Sequence, residues 1–251
     1  MNNLATDVAI IGGGLAGATA AAMLGRAGRA AVLIEPHAEQ RLEFRCEKLD
    51  DLQLELLCRT GLADDVLPHT CAGGKVWVVR YGRVVDRNKN SPAGILYHDL
   101  VNTVRQQIPA SVPHIAAKVS AISGNAGRQR VSLANGDEIE ARLVILANGL
   151  NPGLRETLEI KREVLSPCHS IRLGFDMQPE GDTPFAFPAL TVFPERPDQS
   201  MAYLTVFPVP GAMRANLFIY WNMEDPRLRK FRHQPREALF DLIPTLAQFT
   251  G

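Results

Sequence analysis

The chain has 251 residues, of which 46% are hydrophobic and 22% charged, and Lys plus Arg balance Asp plus Glu at 27 each. That length allows one large or two modest domains with a real core, and the composition excludes a disordered chain. A zero net charge provides no basic field to hold nucleic acid or anionic lipid by charge alone.

After a short polar lead, Val8 to Ile11 is an apolar run of the kind a parallel strand buries. Gly12-Gly13-Gly14-Leu15-Ala16-Gly17 follows at once and opens a segment rich in Ala, Met and Leu, which favour helix. Arg26-Ala-Gly28 stops that helix through its glycine, and a second apolar run, Ala30 to Ile34, ends in Glu35. Strand, tight turn, helix, strand and acid in this order read as a dinucleotide site. Gly12 allows the sharp turn, Gly14 lets a pyrophosphate approach the backbone, and Gly17 lets the helix press on the sheet. The free N–H groups at the helix start face the phosphates. Glu35 lies roughly 20 residues beyond the glycines, where a carboxylate accepts from ribose hydroxyls. A carboxylate there repels a 2′-phosphate, so unphosphorylated adenosine is favoured.

Val8 to Gly25 is uncharged, but Asp7 stands at its edge, no positive charge precedes it, and Gly and Ala dominate. It is therefore neither a membrane span nor a signal peptide. The four cysteines, Cys46, Cys58, Cys71 and Cys168, include no Cys-x-x-Cys pair, which predicts buried free thiols and a cytoplasmic protein.

Pro36 breaks the second strand, and an irregular charged stretch through Arg45 leads to a helix starting at Asp50 or Asp51 as N-cap and ending at Gly61. Its leucines, Leu52, Leu54, Leu56 and Leu57, are expected in the core. Lys75 to Arg80, Tyr81-Gly82 and Arg83 to Asp86 form a hairpin, and Tyr97 to Ile108 an amphipathic helix stopped by Pro109. Val112 to Ala116 and Lys118 to Ile122 are short strands. Asn135-Gly136 marks a tight hairpin between Arg130–Ala134 and Asp137–Ala141. Arg142 to Ala147 then reads as a separate buried parallel strand, followed by a short helix around Pro152 to Leu158.

From about Glu163 the texture changes. Ser170–Met177, Ala189–Phe193, Met201–Phe207 and Arg214–Trp221 read as antiparallel strands, and Pro226–His233 and Pro235–Ala247 as helices. The fold class is α/β: a Rossmann-like three-layer ββα dinucleotide-binding domain with an inserted β-hairpin or meander over residues 1–162, then a mostly antiparallel β domain over 163–251. No Gly-x-Ser-x-Gly occurs, and the histidines lack metal-ligand spacing. His169, Arg172, Tyr203, Arg214 and Tyr220 are candidate pocket residues, each with an ordinary surface or core role as the default. Trp221 and Phe207 are expected as core aromatics. No catalytic residue is assigned.

With Gly12 to Glu35, Arg45-Cys-Glu-Lys-Leu49, Tyr97-His-Asp-Leu100 and Leu146-Ala-Asn-Gly149-Leu-Asn-Pro-Gly-Leu-Arg155 in view, the chain resembles the FAD-dependent monooxygenases of the aromatic hydroxylase type. It is similar, more loosely, to flavin halogenases and geranylgeranyl reductases. The resemblance implies FAD as cofactor, held by the glycine motif (Gly12, Gly13, Gly14, Leu15, Ala16, Gly17), Glu35, Arg45, Val119, Asn148 and Gly149. It implies NAD(P)H as electron donor, O2 as co-substrate and a small organic substrate. Asn148-Gly149 stands where the family has Asp-Gly, and Tyr97 where it often has arginine, which removes a phosphate contact. The family's distal Gly-Asp motif is not found after Trp221, which implies a chain lacking the family's C-terminal part. A flavin-dependent reductase of double bonds, an NAD-dependent dehydrogenase and a truncated non-catalytic flavin-binding relative are the alternatives.

Overall fold

The structure, a computed structural model, describes residues 3–45, 48–89, 92–179, 181 and 184–250. Cys46 and Glu47 of the Arg45 motif lie outside the described residues. β1 (Asn3–Ile11) runs into the glycine turn, and α1 (Leu15–Arg26) begins three residues after Gly12. α1 ends where Gly28 takes φ 66° and donates its N–H to the Gly25 carbonyl. β2 (Ala31–Ile34) is buried along its whole length. β3 (Lys48–Leu49) precedes α2 (Asp51–Arg59), where Asp50 is the residue before the helix and its carbonyl accepts from the Gln53 and Leu54 N–H groups.

α3 (Ala63–Val66) and β4 (Cys71–Ala72) lead to the hairpin of β5 (Val76–Arg80) and β6 (Arg83–Asn88). Tyr81 and Gly82 between them have φ of 50° and 71°, the left-handed pair that a two-residue primed turn requires. β7 (Ala93–Gly94), α4 (Tyr97–Gln106) and β8 (His114–Ile115) follow, then β9 (Val119–Asn125), β10 (Arg128–Leu133), β11 (Glu138–Leu146) and α5 (Gly153–Thr157). The remainder is β12 (Ile171–Met177), β13 (Ala189–Val192), β14 (Met201–Val209), β15 (Ala212–Ile219), α6 (Pro226–His233), α7 (Pro235–Leu242) and α8 (Ala247–Thr250).

These elements form two compact units, neither continuous in sequence. The first comprises Met1–Glu43, Leu57–Pro68 and Tyr97–Glu163, and the second Phe44–Leu56, His69–Leu96 and Val164–Gly251. The sequence places the Lys75–Asp86 hairpin inside a continuous 1–162 domain. The structure puts it in the second unit, because Val76–Val79 pairs in parallel with Ala189–Val192. That pairing joins segments more than 100 residues apart, a distance no local pattern reports.

In the first unit the sheet order is β8-β2-β1-β11-β10-β9. β1 is parallel to both β2 and β11, and β10 pairs antiparallel with β11 and β9. Val8 and Ile10 pack on the helical side with Ala21, Leu33 and Val112. Ala9 and Ile11 pack on the other side with Val131, Leu133 and Ile139 of the β9–β11 meander. β1 is therefore covered on both faces, which is why its sequence is an unbroken apolar run. The helix, sheet and meander make the three layers.

Arg142–Ala147 is not a strand of its own. β11 is one strand from Glu138 that pairs with β10 over its first half and with β1 from Asn3↔Glu138 to Ile11↔Leu146. Nor is it fully buried: Leu143 is exposed, and Arg142 beside it pairs with Asp7 at 3.1 Å.

The second unit carries a sheet of order β12-β15-β14-β13-β5-β6, antiparallel except at β13–β5. Alternate residues of these strands, among them Leu190, Val192, Leu204, Val206, Leu217 and Ile219, form a core with Phe231, Leu239 and Leu246 of the C-terminal helices and turns. The opposite face presents Arg172, Gly174, Asp176, Tyr203, Thr205, Arg214, Asn216 and Phe218.

Two expectations fail on exposure. α2 has no buried residue; Leu52 is 75% and Leu56 58% exposed, so the leucines are not core. Apolar spacing specifies a face, and only tertiary packing decides whether that face is covered. Cys58 and Cys168 are exposed free thiols, and Cys71 is half-buried. Among the described residues no helix is long and apolar enough to cross a membrane, and no cluster of side chains could hold a metal ion.

Leu217 is fully buried on β15, between β12 and β14. Leu217→Ala is expected to cost about 2–5 kcal/mol of stability, read as a lower urea midpoint.

Candidate functional site: a dinucleotide cradle

The first unit has its topological switch at β1. The chain leaves β1 through α1 to β2 on one side and returns as β11 on the other. In open α/β sheets ligands bind beyond the carboxyl ends of strands at such a point. There the Gly12 N–H donates to the Ile34 carbonyl at 2.9 Å, and the Ala147 N–H to the Ile11 carbonyl at 2.8 Å. The ends of all three strands are thus tied together.

The glycines divide by what surrounds them. Gly12 has φ 102°, and a Cβ there would stand 2.5 Å from the Ala147 carbonyl oxygen. A Cβ on Gly17 would stand 1.8 Å from the Gly12 carbonyl oxygen. These two are required by close backbone packing. A Cβ on Gly14 would meet only the Tyr97 hydroxyl, at 3.6 Å, so internal packing does not explain this glycine. The missing side chain leaves clear space in front of α1, whose N-cap is Gly14 and which has no side-chain cap. Uncapped N–H groups beside open space are the features a pyrophosphate requires. Leu15 and Ala16 lie in this first turn.

Gly13 is held from two sides. Its N–H donates to Glu35 Oε2 at 2.9 Å, and its carbonyl accepts from Arg105 Nε at 2.7 Å. Arg105 Nη1 also donates to the carbonyls of His37 and Ala38, at 3.0 and 3.1 Å. Glu35 Oε1 accepts from the His37 N–H at 3.1 Å, with the His37 ring 3.2 Å away. Burial, the largest single influence on Glu35, pushes its carboxyl up. The hydrogen bonds from Gly13 and His37, with the Arg105 charge, outweigh burial together and hold it below the ordinary 4.5.

Asn148 and Gly149 sit beside Gly12: a Cβ on Gly12 would lie 3.0 Å from the Asn148 Cα. Gly149 takes φ 60°, and Asn148 Nδ2 donates to the Asn151 carbonyl at 3.1 Å, so the amide closes its own turn. Val119 starts β9, four residues after Ile115, whose carbonyl accepts from the Glu35 N–H at 3.1 Å. Arg45 belongs to the second unit, where its carbonyl accepts from Arg214 Nη1 at 3.2 Å. Arg105 is the residue the sequence does not single out. Its one available signal is a cation four residues after the buried Val101, on the helix that packs on α1. Tyr97, which the sequence counts as a lost arginine, brings its hydroxyl to the open side of Gly14.

In the second unit, His169, Arg172, Tyr203 and Tyr220 do come together. Tyr203 stacks on Phe218 at 5.6 Å, Tyr220 meets Phe218 and His169 edge-on, and Arg172 lies over Phe218. Arg214 lies apart, paired with Asp176. Trp221 and Phe207 are buried, as expected of core aromatics.

Glycine turn, strand-end carboxylate and switch-point geometry define a dinucleotide-binding domain of the Rossmann-like class. Residues 5–249 match the FAD binding domain family, and the chain belongs to that family. It is 28% identical over 174 residues to 3-demethoxyubiquinol 3-hydroxylase of Escherichia coli (strain K12), a match covering 62% of this chain and 44% of that protein. The chain thus matches less than half the length of this curated relative. Among solved structures it resembles p-nitrophenol 4-monooxygenase PnpA from Pseudomonas putida DLL-E4, with TM-score 0.75 and 16% identity over 96% of this chain and 64% of that one. It also resembles PqsL of P. aeruginosa in complex with 2-aminobenzoylacetate, with TM-score 0.75 and 20% identity over 98% and 68%. These likenesses establish the fold, and the cofactor of the family is FAD.

Gly17→Ala is expected to abolish FAD uptake, because its Cβ cannot coexist with the Gly12 carbonyl; flavin retained on gel filtration is the measure. The depressed Glu35 carboxyl favours the folded state above its unfolded pKa, and this contribution is lost as pH falls through the lower folded value. Glu35→Gln should therefore flatten the stability loss on acidification below about pH 4.5, measured by urea unfolding at stepped pH.

Proposed function

We propose that the protein is an FAD-dependent monooxygenase that places one oxygen atom of O2 into a small organic substrate, with NAD(P)H as reductant. The observation that carries this reading is the convergence of Gly14, Glu35 and Asn148-Gly149 at the ends of β1, β2 and β11. Membership of the FAD binding domain family supports it, as do the hydroxylase and monooxygenase names of the relatives.

In this reading the backbone N–H groups of Gly14 to Gly17 receive the pyrophosphate, and Glu35 accepts from the ribose hydroxyls. Val119 would lie beside the adenine, Arg45 would reach the cofactor, and the Asn148-Gly149 turn would contact it. FAD held there would supply the redox chemistry, with a nicotinamide as the hydride source and dioxygen as the oxidant. The chain's share is to orient reactants and exclude water. The aromatic row Tyr203, Phe218 and Tyr220 and the neutral hydrogen-bonding row Thr191, Thr205 and Asn216 form the substrate-facing surface. Thr205 Oγ1 is buried there without a hydrogen-bond partner among the described residues, a group that a substrate oxygen or nitrogen would satisfy. The free thiols of Cys58, Cys71 and Cys168 suit a reducing compartment such as the cytoplasm.

Purified protein should carry or take up a yellow flavin. With NAD(P)H, substrate and isotopically labelled dioxygen it should yield product carrying one labelled oxygen. A colourless protein that ignores added FAD overturns the reading. Reduction of a double bond without label incorporation replaces oxygenation with flavin-dependent reduction.

A further inference from the structure

Arg214 is a cation buried to 6% exposure on the face of the second unit's sheet that lies opposite the C-terminal helices. Its Nε and Nη2 donate to the two oxygens of Asp176, opposite it on β12, at 2.8 and 2.9 Å. That pair neutralises the guanidinium and fixes its plane. Nη1 then donates to the Arg45 carbonyl at 3.2 Å, and the guanidinium covers the Phe44 ring at 4.1 Å. Two residues before Asp176, on the same face of β12, stands Gly174. A Cβ there would fall 2.3 Å from Phe44 Cε1. Glycine within a strand weakens it and marks a close approach. Here the approaching group is the Phe44 ring. Gln40 is held through its backbone by the Asn102 side chain, and residues 41–45 beyond it have neither helix nor strand.

We propose that Gly174, Asp176 and Arg214 form a seat for the Phe44–Arg45 backbone, and that Arg214 thereby acts as a positioning residue for Arg45. This rests on the reading of Arg45 as a cofactor ligand. An arginine on an irregular segment loses backbone and side-chain freedom when it grips an anion. A seat that fixes the backbone beforehand removes part of that loss. Asp176 has a second role: without it, the Arg214 charge would stand uncompensated beside Arg45.

The test uses the whole chain as wild type, Arg45→Ala, Gly174→Ala, Asp176→Asn and the double variant Arg45→Ala with Gly174→Ala. Phe44 is half-exposed, so the new methyl at 174 should swing its ring aside with little change in the unfolding midpoint of FAD-free protein. Two readouts apply: FAD affinity, and trypsin cleavage after Arg45 with cleavage after Arg41 as internal reference. Gly174→Ala and Asp176→Asn should speed cleavage after Arg45 and weaken FAD binding by up to roughly tenfold, the scale of immobilising one long side chain. The double variant should bind FAD no more weakly than Arg45→Ala alone. Additive losses in the double variant, or unchanged cleavage after Arg45, overturn the seat. Faster cleavage with unchanged FAD affinity overturns the positioning role. Wild-type protein that takes up no FAD overturns the cofactor reading itself, a failure visible before any variant is compared.

Discussion

The peptide at Gly13 is held at both ends, its N–H by Glu35 and its carbonyl by Arg105. The rest of the cradle depends on this. A glycine turn is the part of the backbone with most freedom to lose, and a ligand that had to order it would bind more weakly by that amount. Here a carboxylate from the end of β2 and a guanidinium from α4 order the turn without the ligand. Arg105 reaches further, to the carbonyls of His37 and Ala38, so one side chain ties the glycine turn to the chain leaving β2. Glu35 still has acceptor capacity. A carboxylate offers about four lone-pair positions, and among the described residues Glu35 meets the Gly13 and His37 N–H groups and the His37 ring. One acid can both brace the turn and receive ribose hydroxyls.

The layers explain why this cradle stays rigid. β1 is sandwiched between α1 on one face and the β9–β11 meander on the other, and its Ala9 and Ile10 are fully buried. A strand covered on both faces cannot slide without exposing one of them. Its end therefore delivers Gly12 to a fixed point. Gly17 and Ala147 close on Gly12 at distances that admit no added methyl. The turn is short because three backbones meet there, and only glycine permits the meeting.

The second unit has a different division of labour. One face of its sheet builds the core with the C-terminal helices. The other carries the aromatic row, the neutral polar row and the Arg214–Asp176 pair, each held by cross-strand neighbours. Its buried cation, Arg214, is matched within the face by Asp176, because a buried arginine is tolerable only when a carboxylate accompanies it.

The sequence by itself determined the βαβ unit, the hairpins at Tyr81-Gly82 and Asn135-Gly136, and, beyond Glu163, the strands and the helix Pro226–His233, though not the break that Pro244 puts into the helix expected over Pro235–Ala247. Each of these follows from local rules: glycine at positive φ, helical or alternating apolar spacing, proline at element ends. It also placed Gly12, Gly14, Gly17 and Glu35 in order, because that motif's spacing is set by one strand, one turn and one helix. Only the tertiary structure decided that Lys75–Asp86 joins the second sheet, that β11 serves two partners at once, and that Leu52 and Leu56 face outward. It alone brought Arg105 to Gly13, which lies 92 residues earlier in the chain, and Arg214 to Arg45, 169 residues earlier. Local propensity ends within a few residues, whereas strand pairing, burial and ion pairing are contacts between segments whose separation in sequence carries no mark of their meeting.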